Sequence, residues 1–224
     1  MSSYIILGIL VLFLLYFLYR IKPAATQKIE EGLYAVRCGL VNFYAVRTAA
    51  GVAIFDTGFN PFLAKRGLQK LGLSSDEVTH VFLTHTDFDH AGGLKAFPGA
   101  KVYISKEEEQ MVNGKKARRG LLHNRKLKAY QTMDDGETIA IGDKKIVIHL
   151  TPGHTAGSAI YRIGGDVLVT GDLWWYSRKG VVLPCLWLMN MDHKQEVRSA
   201  EAARSFIDGA RLVLTGHTGI QTKN

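Results

Sequence analysis

Uncharged residues run unbroken from Tyr4 to Tyr19, "YIILGILVLFLLYFLY". At ~1.5 Å rise per residue such a helix spans roughly 24 Å. Ser2, Ser3 and Ile21 bring it near the ~30 Å hydrocarbon thickness of a bilayer. Tyr4 and Tyr19 suit the two interfaces, and Arg20 and Lys22 follow at once. The positive-inside rule then places the remainder of the chain in the cytoplasm. The pattern predicts a single-pass transmembrane anchor over 1–22, a short linker over 23–28 and a folded domain over 29–224. A cleaved signal peptide is disfavoured because the run lacks a basic leader. A buried core helix is disfavoured because the run has no polar face.

Beyond the linker the pattern changes to short apolar runs broken by turn residues. "GLYAVRCGLVNFYAVRT" predicts two strands around a turn at Cys38–Gly39, and "GVAIFDTG" predicts a buried strand. "NPFLAKRGLQKLGL" predicts a helix with Asn60 as N-cap and Pro61 in the first turn. "VTHVFLT", "KVYIS" and "KKIVIHLT" predict further strands, and "AIYRI" and "DVLVTGD" a hairpin across Gly164–Gly165. Residues 106–130 predict a largely helical stretch interrupted at Gly114 and Gly120. "DHKQEVRSAEAARSFID" predicts an amphipathic helix and "RLVLTGH" the last strand. Strands that alternate with helices but are often joined as hairpins imply an α/β fold of sheets covered by helices.

The 224 residues suffice for one well-cored domain. Two cysteines, Cys38 and Cys185, make neither a disulfide framework nor a CxxC site. The net charge is +8, and ten Lys/Arg fall between Lys95 and Lys128. They read as a solvated helical face or as a patch for anionic headgroups or an acidic substrate. Tyr103 and Tyr130 are among the few aromatic residues in or beside this cluster, which argues against nucleic acid as a partner.

The chemistry gathers at strand ends. "LTHTDFDHAGGL" holds His85, Asp87, Asp89 and His90; His154, Asp172 and His217 each follow another apolar run. These imidazoles and carboxylates are too many for one tetrahedral zinc. They suit two metals with one bridging carboxylate. His85 and Asp87 can face one ion, and Asp89 and His90 its neighbour. "DLWWYSRKGVVLPCLWLM" adds apolar bulk. Trp174, Trp175, Tyr176 and Trp187 are candidates either for core packing or for a wall over the site that takes an acyl or lipid-like substrate.

"THTDFDHAGG", "TPGHTAGS", "TGD" and "TGH", in this order and spacing, resemble the metallo-β-lactamase superfamily of hydrolases. "VNFYAV…GVAIFDTG" resembles its opening strands, so the resemblance covers about residues 30–219. It implies a four-layer αβ/βα sandwich with metals in a shallow groove at one edge of the sheets. It implies His85, residue 87 and His154 on one metal, Asp89, His90 and His217 on the other, and Asp172 between them. Asp56 matches a structural turn. The implied reaction is hydrolysis of an ester, thioester, lactone or phosphoester small molecule by a hydroxide held between the metals. Asp89 would orient that hydroxide and carry a proton to the leaving group.

One departure stands out. The family pattern is H-x-H-x-D-H, and this chain has Asp87 at the second position. Asp87 is expected to bind as a harder, charged ligand, which favours iron or manganese more than histidine would; zinc remains the first expectation. The other reading is that Asp87 is too short and one metal dominates. A diiron, redox-active branch of the superfamily with a carboxylate at this position is the alternative function, although its flavodoxin module has no counterpart here. The nucleic-acid branch carries a large insertion for which the chain has no room.

Overall fold

The computed structural model describes residues 2–118, 123–124 and 126–222, with side chains from Tyr4 onward. Two sheets face each other. The first has seven strands in sequence order: Gln27–Glu30, Leu33–Cys38, Val41–Thr48, Gly51–Phe55, Val78–Phe82, Lys101–Ser105 and Gln131–Met133. It is antiparallel up to Gly51–Phe55 and parallel thereafter. The second has six, ordered Gly219–Thr222, Leu212–Thr215, Val167–Gly171, Ala159–Ile163, Lys144–Leu150 and Thr138–Ile141.

Side-chain alternation along the central strands builds the layers. In Gly51–Phe55, Ala53 and Phe55 point between the sheets with Phe82, Ile148, Tyr161 and Leu214. Val52 and Ile54 point outward, onto Ala64 and Leu68 of the helix Pro61–Gln69. Ile160, Leu168 and Val213 do the same on the far sheet, against Ala203 and Ile207. A strand buried on both faces reads as a continuous apolar run, as here. The result is the expected αβ/βα sandwich. Asn60 caps its helix through Phe62 N and Leu63 N, and the hairpin across Gly164–Gly165 forms as expected, with Tyr161 opposite Val169.

Two buried tyrosines tie the sheets together where the site lies. The Tyr161 hydroxyl donates to Leu83 O at 2.8 Å, two residues before His85. The Tyr44 hydroxyl donates to Thr215 O at 2.7 Å, two residues before His217. Each sheet thus holds the strand end of the other.

Several expectations are corrected. The N-terminal helix, Ser2–Arg20, ends one residue short of Ile21, which is buried with Trp175, Cys185 and Leu186. Among the described residues no helix is long and apolar enough to cross a membrane. The sixteen apolar residues from Tyr4 cover about 24 Å against ~30 Å of hydrocarbon, and Ile21 adds nothing because it belongs to the core. The transmembrane anchor, the single-pass placement and the cytoplasmic orientation derived from it are therefore overturned. Phe17 packs on Trp175, and Lys22 N donates to His217 O at 2.8 Å. Ala24 exchanges two bonds with the Asn42 side chain.

The long helix expected within 106–130 is also corrected: its described part holds only Glu109–Val112 as α-helix. Gly114 sits at φ +84, outside helical space, and Glu108 turns into the core. Residues 119–122 and 125, with two of the ten basic residues, lie outside the described part. The expected single helix near the C-terminus is two, His193–Ala202 and Arg204–Asp208.

Replacing Tyr161 by Phe leaves the buried Leu83 carbonyl without this donor. A loss of about 1–3 kcal/mol is expected, measured by urea denaturation. An unchanged midpoint would mean the hydroxyl contributes nothing.

Candidate metal centre

The site is built at the ends of four strands along one rim. Val78–Phe82 leads to His85, and the short helix Phe88–Ala91 carries Asp89 and His90. Lys144–Leu150 leads to His154, Val167–Gly171 to Asp172, and Leu212–Thr215 to His217. Asp87 is the residue before the short helix and makes no capping bond, so its carboxylate is free to turn inward.

Each histidine is fixed through Nδ1. His90 Nδ1 donates to Asp56 Oδ2 at 2.8 Å, His217 Nδ1 to Leu40 O at 2.8 Å and His154 Nδ1 to Asn190 Oδ1 at 3.0 Å. His85 Nδ1 lies 3.0 Å from Thr84 Oγ1, which itself bonds the Asp56 carboxylate. With the proton on Nδ1, each ring turns its Nε2 lone pair towards a shared centre. Such outer partners select the tautomer of ligating imidazoles.

The donors fall into two groups. His85, Asp87 and His154 bring ligand atoms within 4.8 Å of one another, and so do Asp89, His90 and His217. Asp172 spans them: Oδ1 is 3.4 Å from His90 and His217 Nε2, and Oδ2 is 3.4 Å from His154 Nε2. The seven residues singled out in the sequence are therefore brought together. Among the buried side-chain atoms without a hydrogen-bond partner are His85 Nε2, His90 Nε2 and Asp172 Oδ1. Buried polar atoms are rarely left alone, and three that converge suit a metal cation.

The field agrees. Burial alone would lower His217, but Asp172 and Asp89 outweigh it and push the ring up to about 10. Burial would raise Asp89, yet His90 and His217 hold it at about 2. A field that favours a proton at these lone pairs also favours a metal cation.

Several residues not singled out complete the centre. Arg118 reaches in: Nε donates to Asp87 Oδ1 at 2.8 Å, and Nη2 lies 2.7 Å from Asp87 Oδ2 and 2.9 Å from His154 Nε2. It also donates to the carbonyls of His154 and Met189. Asn124 Nδ2 donates to Asp87 Oδ1 at 3.1 Å. Glu108 is buried and accepts from Thr86, Thr155 and Gly157, which joins the two ligand loops. Glu196 accepts from His154 N, and burial pushes its carboxyl up to about 8. In the sequence Arg118 is one member of a basic cluster, and nothing local marks its inward turn.

Of the four aromatic candidates, three follow the core-packing reading. Trp174 and Tyr176 are buried in the core with Leu168 and Val213. Trp175 is buried too, its ring 5.1 Å from that of His217. Trp187 is 65% exposed. The apolar surface at the site comes from elsewhere: Phe17, Ile21, Leu40, Val41, Phe59 and Phe88 line a groove of about 300 Å³ that ends on Asp89 and His217.

A family model described as "Metallo-beta-lactamase superfamily" matches residues 36–222, and the chain belongs to that superfamily. Curated relatives are hydrolases by name. A hydroxyacylglutathione hydrolase of Gloeobacter violaceus is 30% identical over 125 residues, covering 54% of this chain and 41% of the relative. A probable metallo-hydrolase of Methanocaldococcus jannaschii is 30% identical over 162 residues, covering 70% and 66%. The chain spans about a third to two fifths of the length of the hydroxyacylglutathione hydrolases of Maricaulis maris and Gloeobacter violaceus. Among solved structures, a metallo-beta-lactamase family protein of Thermus thermophilus superposes with a TM-score of 0.68 at 23% identity, covering 87% of this chain and 76% of that one.

Replacing Asp56 by Asn presents an amide to His90 Nδ1–H and favours the wrong tautomer. Zinc affinity is expected to fall roughly 10–100-fold, measured by competition with a chromophoric chelator. Undiminished affinity would remove the orienting role of Asp56.

Proposed function

We propose that the chain is a metal-dependent hydrolase of acyl esters or thioesters with an apolar acyl group. The observation that carries this reading is the apolar groove ending on Asp89 and His217. It puts a hydrocarbon chain beside the ligand cluster and offers little to a phosphoester's charge. The relatives' names point the same way: hydroxyacylglutathione hydrolase is a thioester hydrolase, and another relative is a probable polyketide biosynthesis zinc-dependent hydrolase of Bacillus subtilis.

Asp89, His90, His217 and Asp172 would hold a divalent ion, with zinc the first expectation, and His85, Asp87 and His154 form the adjoining set. When bound, the metal polarises the carbonyl and lowers the pKa of water. Asp89 is the reacting residue of the chain itself. Its side chain is 43% exposed, towards the groove, and its low pKa keeps it ionised at neutral pH. It accepts the proton of the attacking water as the new C–O bond forms. It returns that proton to the departing oxygen or sulfur as the acyl bond breaks. Phe88 and Leu40, both exposed beside it, hold the acyl chain and exclude water.

The test is a series of acyl thioesters and p-nitrophenyl esters from acetyl to dodecanoyl. Longer chains should be preferred, and Phe88→Asp should reduce kcat/KM for the long substrates by about 10-fold or more with little effect on acetyl. Asp89→Asn should lower kcat by about 10²–10⁴-fold on all of them. Equal rates for acetyl and dodecanoyl in the wild type would defeat the apolar assignment.

A further inference from the structure

We propose that Arg118 takes the place of the first metal ion, so that the chain carries one divalent cation, held by Asp89, His90, Asp172 and His217. This deepens the metal-dependent reading above and rests on it.

The first group already holds a cation. The guanidinium meets both oxygens of Asp87 in a fork, the arrangement in which arginine binds carboxylates best. Its Nη2 stands 2.9 Å from His154 Nε2, on the lone pair that a metal would need. Bonds to the carbonyls of His154 and Met189 fix its position, and its side chain is only 15% exposed. Asn124 holds the same Asp87 oxygen from another side. An ion entering this group would have to displace a buried charge from its partner, which is costly.

Among the described residues no basic side chain enters the second group in this way. His90 Nε2 and Asp172 Oδ1 are buried without a hydrogen-bond partner among the described residues, and Asp89 and His217 open on the groove. His85 Nε2 is also without a partner, and it groups with His90 and Asp172 as well as with Asp87. A single ion can therefore draw on it. Charge supports the count. Three carboxylates face the centre, and one guanidinium with one divalent ion balances them.

The proposal also accounts for Asp87. A histidine at this position would offer no fork to a guanidinium, whereas aspartate offers two oxygens. Asp87 and Arg118 are a pair: the departure from the H-x-H pattern makes room for an internal cation. A carboxylate engaged in this way is not presented to a second iron, which removes the basis of the redox alternative.

The experiment counts zinc per full-length chain, by elemental mass spectrometry after equilibration with excess zinc and gel filtration. Wild type, Arg118→Met and Asp87→His are compared, with circular dichroism as the folding check. One zinc in the wild type and two in each variant is the expected result. Two zinc in the wild type overturns the proposal and leaves the hydrolase reading standing. One zinc in all three overturns it as well, since Arg118 then excludes nothing. No zinc in the wild type overturns both. Should the variants misfold, the wild type still decides: in arginine-labelled protein the Arg118 Nε–H resonance must stay protected from exchange after zinc saturation, and its loss of protection overturns the proposal.

Discussion

The buried carboxylate of Asp56 is the joint on which the centre hangs. It follows the buried end of the strand Gly51–Phe55, at φ +62, a left-handed conformation that few residues other than glycine adopt readily. From there it accepts from Thr84 N and Thr84 Oγ1 and from His90 Nδ1. It therefore fixes the loop that carries His85 and the short helix that carries His90 in a single contact set. Its own amide is held by Phe82 O, and the next one, Thr57 N, by His90 O. Without that carboxylate His90 would lose the partner that sets its tautomer, and Thr84, the partner of His85, would lose its acceptor.

Around this joint the fold solves an electrostatic problem. Three carboxylates and four imidazoles crowd into a mostly buried rim, where unpaired charge is expensive. Each ring is tied outward by Nδ1, so only Nε2 remains to face the carboxylates. On one side of Asp172 the balance is struck within the chain by Arg118. On the other side the one-ion proposal leaves it to a divalent cation. The side that Arg118 does not reach is the one that opens on the apolar groove.

The groove gives the N-terminal segment a local part in the site. Phe17 and Ile21 form one wall, and Lys22 N holds the carbonyl of His217. The segment after the helix is thus continuous with the domain's core. The aromatic-rich stretch after Asp172 does a different job from the one its composition suggested: Trp174 and Tyr176 fill the second sheet's outer layer, and Trp175 backs His217.

Much of the centre was legible because its residues are local to strand ends. An apolar run followed by histidine or aspartate states both the strand and the direction in which it ends, and four such runs imply a shared rim. The N-cap Asn60 and the hairpin across Gly164–Gly165 were legible for the same reason, since caps and tight turns are decided within a few residues. What the chain alone could not decide depended on distance in sequence. Arg118 lies 31 residues from Asp87, in a stretch whose composition reads as helix and solvent-facing charge. Only the packed structure decides whether a basic side chain faces water or a carboxylate, because that choice turns on desolvation and on which partners lie within reach. The same holds for the tryptophans and for Ile21. Sequence by itself determined the sandwich and the strand-end donors that converge; tertiary structure decided which of those donors are already paired, which apolar residues line the groove, and that Ile21 belongs to the core.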